Sequence, residues 1–291
     1  MNIIGNRVYE LISSQEIRLQ KTSLEINEQQ KYVITKSIYW GICTSDVKTF
    51  VDGQGKYFGH EMIIQVIKTN SFRFQIGEYL TPLHTSPNNK KHTIKLGFQE
   101  YSVFYEEDFN NLIKIVPVQP VDNYIFFDTV SCVFHAYNKI KPYLKSQTSV
   151  CVLGDGFISK IFHAILRSNN IIFVKSTRNS LFSHKVDLCI DTTGSVNFVN
   201  NHLDKIVDSG KLVLFSKLKY ELINFEIIRD KNIDILFPKF MNEFDIECAK
   251  NFLNKCSLKQ MLYAYNNVYE LKQALLDTMN KNIIRGYIPL I

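Results

Sequence analysis

The sequence lacks the features that mark secreted, membrane-spanning and nucleic-acid-binding proteins. Its six cysteines include no CxxC pair and no framework spacing, which indicates free thiols in a reducing cytoplasm. No run approaches the roughly eighteen apolar residues of a membrane span, and residues 1–7 lack the apolar core of a signal peptide. The net charge of +6 is modest, and no block of lysine and arginine exists. We therefore expect a cytoplasmic protein with neither nucleic acid nor membrane as a partner.

The length and composition are those of a globular protein with a substantial core. A chain of 291 residues corresponds to about two domains on length alone. Hydrophobic residues make up 45% of it, which is enough for a buried core. A weakly basic surface suits a phosphorylated or nucleotide ligand, so a small-molecule substrate is expected.

Residues 41–46 (Gly-Ile-Cys-Thr-Ser-Asp) and 59–61 (Gly-His-Glu) place several metal-binding groups close together in the sequence. Zinc accepts sulfur, imidazole nitrogen and carboxylate oxygen, and a catalytic zinc has three protein ligands and one open position. Cys43 and His60 are candidates for the first two ligands, although such a pair alone is more often two ordinary core residues. Asp46 is a candidate acceptor for the second ring N–H of His60.

Both segments resemble the zinc-binding medium-chain dehydrogenase/reductase family, the alcohol and polyol dehydrogenases. The resemblance implies that Cys43 and His60 bind a catalytic zinc. It also implies that the hydroxyl of Ser45 passes a proton to the substrate oxygen. Glu61 is the neighbouring carboxylate.

The resemblance also implies the fold class, an α/β protein in two parts. Residues 1–117 read as β-rich without a helical period, with strands at 7–12, 32–39, 61–68, 77–80 and 97–104. A partly open, GroES-like β-barrel catalytic domain is expected there. Residues 118–258 are expected to form a shortened Rossmann domain with a doubly wound parallel sheet. Residues 259–291 are expected to return to the catalytic domain.

A second, structural zinc is not expected. Segments 76–80 and 97–101 are similar to turns of the family that flank a four-cysteine lobe. Here the intervening segment 82–96 contains no cysteine. His84 and His92 lie in it and are interpreted as solvated loop histidines.

The third zinc ligand is left open between two acids. A helix is predicted over 123–145, and Asp128 precedes His135 by seven residues, as a glutamate precedes a histidine in polyol-type dehydrogenases. The resemblance therefore puts Asp128 in the ligand position, with Glu61 as the competitor. Apart from the resemblance, Asp128 could simply compensate the charge of a helix N-terminus.

A glycine turn between a strand and a helix indicates a dinucleotide site. The strand is predicted at 149–153 and the helix at 160–168. Gly154 permits the turn, and Gly156 lets the backbone approach a pyrophosphate at the helix N-terminus. Candidate cofactor contacts in this turn also include Asp155, Phe157 and Ile158.

The loop after the second predicted strand, 171–174, favours NADPH over NADH. It reads Lys175, Ser176, Thr177 and Arg178, without the acid that binds the ribose hydroxyls of NAD. Basic and hydroxyl side chains suit a 2′-phosphate, although an ordinary polar loop would read the same way.

The next unit is unusually short, because only residues 179–185 precede a strand at 186–191. A crossover normally needs a dozen residues or more, so one helix and one strand are expected to be missing. Thr192 and Gly194 then fall where the family places residues beside the cofactor. A helix at 197–209, strands at 210–215 and 234–237, and helices at 243–255 and 269–276 follow. Arg285, in a final strand at 283–291, is expected to face the pyrophosphate.

One branch of the family looks most similar, the zinc-dependent ribulose-5-phosphate reductases that make ribitol 5-phosphate. The resemblance implies hydride transfer from NADPH to the ketone of ribulose 5-phosphate, with one zinc on Cys43, His60 and Asp128 or Glu61. Two rivals remain. The chain is another polyol or alcohol dehydrogenase, or a degenerate, non-catalytic member that acts as a binding or structural subunit. A homodimer is expected by analogy.

Overall fold

The computed structural model describes residues 2–54, 58–87, 92–94, 96–116, 121–178, 180, 182–216, 220–238 and 241–290. The chain forms two compact units. The first comprises Met1–Thr129 and Asn242–Ile291, and the second comprises Val130–Met241. Among the described residues, no helix combines the length and the apolar character needed to cross a bilayer.

The strands and helices follow in chain order. They are β1 (Asn2–Ser13), β2 (Glu16–Ile26), β3 (Tyr32–Gly41), α1 (Thr44–Asp52), β4 (Met62–Thr69), β5 (Tyr79–Pro82), β6 (Tyr101–Tyr105), β7 (Leu112–Ile115), α2 (Phe127–Ile140), β8 (Val150–Leu153), α3 (Phe157–Ser168), β9 (Phe173–Ser176), β10 (Val186–Asp191), α4 (Val196–Leu203), β11 (Ile206–Leu214), α5 (Phe225–Asp230), β12 (Asp234–Leu236), α6 (Glu243–Leu253), β13 (Leu262–Ala264), α7 (Leu271–Met279) and β14 (Arg285–Pro289).

The first unit contains a hairpin and a mixed sheet. β1 and β2 form the antiparallel hairpin. The sheet runs β13-β14-β3-β4-β5-β7, and β6 pairs with β3 outside this order. Within the described residues the sheet does not close on itself, so no closed barrel is found, and the GroES-like barrel remains a prediction.

β3 is the central strand of the first unit and has three partners. Its first half pairs with β6, from Tyr32 opposite Tyr105, and its other edge pairs with β4. Its last residues pair with β14, with Gly41 opposite Tyr287. The C-terminal strand therefore pairs with a strand from the N-terminal part of the chain. A core that includes Trp40 and Phe98 packs on this sheet.

The first unit also takes in residues that the sequence assigned to the nucleotide-binding segment, 118–129 and 242–258. Asn123 explains part of this. Its amide nitrogen donates to the carbonyls of Leu253 (2.6 Å) and Cys256 (2.9 Å), and its oxygen accepts from the Leu258 N–H (2.7 Å). One buried side chain therefore ties the start of α2 to the end of α6.

The expectation that residues 1–117 hold no helix is wrong. α1 is nine residues long, and two and a half turns give too few apolar repeats to reveal a helical period. Val47 and Phe50 form its buried face, and Gly53 ends it with a φ of 69°.

The second unit is built on a five-stranded parallel sheet in the order β12-β11-β10-β8-β9. The predicted parallel sheet, with helices between strands, is confirmed. The predicted helix at 197–209 is too long, since α4 ends at Leu203 and Ile206 already begins β11. β12 is an edge strand of only three residues and is not fully buried.

The connection from β9 to β10 is short, as predicted. The two strands flank β8 on opposite sides, yet only residues 177–185 join them. No helix occurs in the described part of this connection. The absent helix agrees with a trimmed crossover.

Candidate active site

Cys43 lies at the N-terminal end of α1, directly after the buried end of β3. It occupies the N-cap position with an extended backbone (φ −90°, ψ 155°). Its backbone N–H donates to Asp46 Oδ2 at 2.7 Å, which is half of a capping box. The helix start thereby fixes the direction of the Cys43 side chain, which is 9% exposed.

Asp46 joins the two sequence segments of the candidate site. It is fully buried. Besides the Cys43 N–H, it accepts the Gly59 N–H through Oδ1 at 2.8 Å. Oδ1 also lies 3.4 Å from Nδ1 of His60. One carboxylate therefore positions both Cys43 and His60 and leaves Nε2 of His60 as the ring nitrogen for a metal.

Gly59 is required by the geometry beside His60. Its φ is +84°, and a Cβ there would lie 2.5 Å from the backbone nitrogen of Phe98. Only glycine accepts both conditions without strain. Burial lowers the pKa of His60, but the charge and hydrogen bond of Asp46, together with Cys43, outweigh it and raise the pKa well above its ordinary value.

Glu61 supplies a buried carboxylate with one oxygen unused. Oε1 accepts hydrogen bonds from the backbone N–H (3.2 Å) and the hydroxyl of Thr129. Oε2 is buried and has no hydrogen-bond partner among the described residues. Burial, followed by the charge of Cys43, raises the pKa of Glu61 well above its ordinary value.

The ligand atoms of Cys43, His60 and Glu61 all lie within 4.8 Å of one another. A thiolate, an imidazole and a carboxylate are the donors that a catalytic zinc takes. The unpartnered Oε2 of Glu61 is a polar atom that a cation would satisfy. The residues present therefore fit a zinc ion.

Arg285 lies beside Cys43. Nη1 donates to the Ile42 carbonyl (3.3 Å) and Nη2 to the Thr44 hydroxyl (3.5 Å), and the residue is 2% exposed. Burial raises the pKa of the Cys43 thiol, but the charge of Arg285 and the hydrogen bond and charge of His60 lower it to about 6. Sequence reasoning assigned Arg285 only to the cofactor, because nothing local links it to a residue more than two hundred positions away.

Asp128 lies near the cluster but is not one of its three members. Burial raises the pKa of Asp128 above its ordinary value. The charge of His60 and a hydrogen bond from the backbone of His84 offset this only in part. Oδ1 of Asp128 is buried without a hydrogen-bond partner among the described residues. Of the two open candidates, Glu61 is the one that the structure groups with Cys43 and His60.

His84 belongs to this neighbourhood, which differs from its interpretation as a solvated loop histidine. Its ring centroid is 6.2 Å from that of His60. Burial, followed by the charge of His60, lowers the pKa of His84 to about 4. No signal in the sequence links these two histidines, because their contact depends on the path of the loop that follows β5.

Ser45, in the first turn of α1, has a buried Oγ without a partner among the described residues.

The second unit presents the glycine turn at the carboxyl end of β8. Gly154 has a φ of +114°, and a Cβ there would lie 2.7 Å from the Thr192 hydroxyl. A Cβ at Gly156 would meet no atom within 4 Å. Gly156 also caps α3 without a side-chain hydrogen bond. The open space at Gly156 therefore lets an anion such as a pyrophosphate approach the N-terminus of α3.

Thr192 and Gly194 follow β10, the strand beside β8. The hydroxyl of Thr192 donates to the Leu153 carbonyl at 2.6 Å, and Gly194 has a φ of +66°. Asp191, which sequence reasoning did not single out, accepts from the backbone and hydroxyl of Thr193. Because β9 and β10 flank β8, these residues lie at the switch point where open α/β sheets bind ligands.

The four residues predicted to contact the cofactor's 2′-phosphate, Lys175 to Arg178, differ in their exposure to solvent. Lys175 and Arg178 are exposed, and Thr177 is half-buried. Ser176 is fully buried, and its hydroxyl pairs with Nε2 of His202 at 2.8 Å. This internal bond corrects the expectation that the Ser176 side chain faces a ligand.

The residues of the glycine turn that follows β8 also differ in how far their side chains are buried. Asp155 is exposed and Ile158 is half-buried. Phe157 is 3% exposed, so its side chain belongs to the core. Ser159, in the position of the third glycine, donates its hydroxyl to the Gly156 carbonyl at 2.7 Å.

No family model matches the chain, and no curated protein matches it significantly. Solved structures match it over nearly its whole length. L-idonate 5-dehydrogenase from Escherichia coli has a TM-score of 0.81 at 14% identity, covering 99% of both chains. S. aureus TarJ in complex with NADPH has a TM-score of 0.78 at 14% identity, covering 99% of this chain and 100% of that one. 2R,3R-butanediol dehydrogenase from Bacillus subtilis has a TM-score of 0.79 at 13% identity, covering 98% and 100%.

The chain has a dehydrogenase fold. This dehydrogenase fold agrees with the resemblance carried by residues 41–46 and 59–61. It also accounts for the parallel sheet of the second unit and for the return of β14 to β3.

Proposed function

We propose that the protein is a zinc-dependent oxidoreductase that transfers hydride between NADPH and the carbonyl of a sugar or polyol phosphate. The favoured reaction is the reduction of ribulose 5-phosphate to ribitol 5-phosphate. The observation that carries the proposal is the approach of Cys43, His60 and Glu61 ligand atoms within 4.8 Å, with Glu61 Oε2 unpartnered. In a cluster with only a structural role, a buried carboxylate oxygen would be expected to accept a hydrogen bond.

The metal would be held by Cys43, His60 and Glu61. A bound zinc supplies Lewis-acid polarisation of the substrate carbonyl. Asp46 Oδ1, 3.4 Å from Nδ1 of His60, would favour a proton on Nδ1 and leave Nε2 for the metal. Thr129 holds the carboxylate of Glu61 through Oε1. The chain thus fixes each donor from a second residue, so little reorganisation is needed on binding.

Proton delivery is assigned to Ser45. Its Oγ is buried and without a partner among the described residues, and it lies two residues from Cys43. A hydroxyl in this position donates a proton to an oxygen that gains charge during reduction.

The cofactor would bind at the glycine turn. NADPH supplies the hydride, and the protein supplies binding and orientation. Gly156 and the uncapped start of α3 receive the pyrophosphate. Exposed Lys175 and Arg178 receive the 2′-phosphate.

The substrate assignment rests on the sequence resemblance to ribulose-5-phosphate reductases. It is supported by the likeness to TarJ, which was solved with NADPH. Likeness to L-idonate and butanediol dehydrogenases favours the wider class of polyol and alcohol substrates. That class is the alternative within the same chemistry.

A panel of ketoses, with NADPH oxidation followed by absorbance, tests the reaction. We expect ribulose 5-phosphate to be reduced with a kcat/KM about a hundredfold above that of free ribulose, since a phosphate recognised by charged side chains contributes strongly. Equal rates on the two would exclude the phosphorylated substrate and favour another polyol dehydrogenase.

Metal analysis separates an enzyme from a non-catalytic binding subunit. We expect one zinc per chain that is lost in Cys43→Ala and kept in Cys256→Ala, whose thiol lies outside the cluster. A wild-type protein that binds NADPH but carries no zinc would contradict the enzyme.

The proposal includes a cytoplasmic homodimer, by analogy with the family. Sedimentation of the full chain at micromolar concentration tests it, and a monomer would contradict it.

A further inference from the structure

The first unit contains a cavity of about 180 Å³ whose lining residues are none of those in the Cys43 cluster. Its buried side chains are Tyr9, Ser37 and Trp40. Its more accessible side chains are both polar, such as Arg7 and Glu100, and apolar, such as Leu19 and Val268. A partly open cavity with aromatic and apolar walls and a few polar groups is the usual composition of a small-molecule site.

Trp40 lines this cavity and carries a buried hydrogen-bond donor. The residue is 2% exposed, and its Nε1 has no acceptor among the described residues. The ring is fixed edge-on by Tyr9 (6.2 Å between centroids) and by Phe98 (5.6 Å). A buried donor without a partner costs about 1–3 kcal/mol, so the position favours a ligand with an acceptor oxygen.

The charges around the cavity cancel. Nε of Arg7 donates to Glu100 at 2.8 Å, and this bond raises the pKa of Arg7. Asn266 and Asn267 also line the cavity, and both donate their amides to Glu270. The two charges of the lining cancel, and the carboxylate of Glu270 lies behind the two amides, so the cavity favours an uncharged ligand over an anion.

We propose that this cavity binds a short, uncharged polyol. A hydroxyl both accepts and donates, so one molecule satisfies the donors of Trp40 and Arg7 and the carboxylate of Glu100. The volume of about 180 Å³ suits short polyols such as glycerol, erythritol or xylitol. Leu19 and Val268 supply the apolar wall against which the carbon chain packs.

The site is separate from the proposed dehydrogenase function and stands without it. No lining residue is a candidate zinc ligand or belongs to the glycine turn. Activity is therefore not the readout.

The full-length protein itself carries a reporter, because Trp40 is its only tryptophan. In a ¹⁵N-labelled sample the indole N–H gives one resonance. We expect xylitol to move that resonance downfield and to saturate, as a new hydrogen bond forms. The same titration of Cys43→Ala is expected to give the same curve.

A strictly linear shift with xylitol, typical of a bulk solvent effect, overturns the proposal. Loss of the shift in Cys43→Ala also overturns it, because the response would then come from the other site. These two outcomes need no cavity variant, so the proposal stays testable if such a variant fails to fold.

A matched pair of variants locates the response. Leu19 and Leu24 both lie half-buried in β2, but only Leu19 lines the cavity. We expect Leu19→Phe to fill the cavity and to raise the xylitol concentration at half-saturation by about tenfold or more. Leu24→Phe should leave that concentration unchanged. Equal midpoints in the two variants would place the ligand elsewhere.

Discussion

Glu61 illustrates at the scale of one residue how the candidate site is built. Its side chain is 1% exposed, one oxygen is held by Thr129, and the other is unpartnered among the described residues. Such a group is costly to bury. A bound cation would remove that cost, whereas Asp128 lies outside the group of three.

Substituting each acid tests which one binds the metal. We expect Glu61→Gln to lower the zinc affinity by about tenfold to a hundredfold or more, since an amide is a poor zinc donor. Asp128→Asn should retain zinc at the wild-type level. Competition with a chromophoric chelator measures both affinities.

The opposite ranking, with zinc lost in Asp128→Asn and kept in Glu61→Gln, would assign the ligand to Asp128. Circular dichroism of both variants serves as the control for folding.

His163 gives a pH-dependent prediction in the second unit. Burial, followed by the charges of Lys175, Arg167 and Lys160, lowers the pKa of His163 from 6.5 to about 4. Its ring stacks on Phe173 at 4.9 Å. Between those pH values the unfolded chain binds a proton that the folded protein excludes, so stability falls as the pH decreases from about 6.5 to about 4.

We expect His163→Leu to reduce this loss of stability, because leucine does not titrate. Urea midpoints at about pH 7 and about pH 5 measure it. The exposed His184→Gln variant should keep the wild-type difference. An unchanged difference in His163→Leu would show that other groups govern acid sensitivity.

Sequence reasoning at this scale found the residues whose partners are local. Cys43, Asp46 and His60 lie within eighteen positions of one another, and the structure brings them together. His84 and Arg285 reach the same neighbourhood through long-range packing, for which the sequence has no local signal. Ser176, at the end of β9, was misjudged because its partner His202 lies in α4, more than twenty residues further along the chain.

At the scale of elements, α1 and the turn before β4 are held together by a hydrogen bond. Asp46 in the first turn of α1 accepts the Gly59 N–H, so the helix start and the His60 segment are positioned together. Gly59 makes this possible through its left-handed backbone and its close approach to Phe98.

Gly59→Ala and Gly77→Ala separate backbone strain from steric clash. Both glycines have positive φ, +84° and +90°, but a Cβ at Gly77 would meet no atom within 4 Å. We expect Gly77→Ala to cost about 1–2 kcal/mol from strain alone and to keep its zinc. Gly59→Ala should cost more and lose zinc, because Phe98 blocks the Cβ and His60 must shift.

Urea unfolding and zinc content measure the two effects. Full zinc occupancy in Gly59→Ala would mean that the turn before β4 does not position His60.

The sequence predicted the buried strands of the two sheets better than the largely exposed hairpin strand β2, which was missed although it spans eleven residues. β3, β4 and β10 have the β-branched composition that indicates strands. α1 was missed because nine residues carry too few repeats. The helix predicted over 197–209 ran into β11 because Leu203 and Ile206 continue the same helical spacing.

At the scale of the whole molecule, the three clustered metal-binding side chains all belong to the first unit. We therefore expect zinc removal to loosen that unit selectively. After chelation with EDTA, amide exchange should speed up in α1 and at the start of β4. Amides of β8 and β10, in the core of the second unit, should keep their rates.

Hydrogen exchange read by mass spectrometry, with and without EDTA, measures this. A uniform acceleration across both units, or no change at all, would contradict a metal site confined to the first.

The sequence predicted the parallel sheet, which is confirmed, and it also predicted a C-terminal return, with which the pairing of β14 and β3 is consistent. It did not predict where the units divide. That division depends on Asn123, which binds the carbonyls after α6, and such long-range hydrogen bonds leave no periodic pattern.

The first unit is built from two separate stretches of the chain, and this has a consequence for synthesis on the ribosome. β3 must wait for β14, because Gly41 pairs with Tyr287, and the whole second unit emerges in between. At about 5–20 residues per second, the nascent β-rich segment stays incomplete for at least ten seconds or so. The contiguous second unit can fold first, so the unfinished N-terminal strands are the part of the chain that most needs chaperone protection during translation.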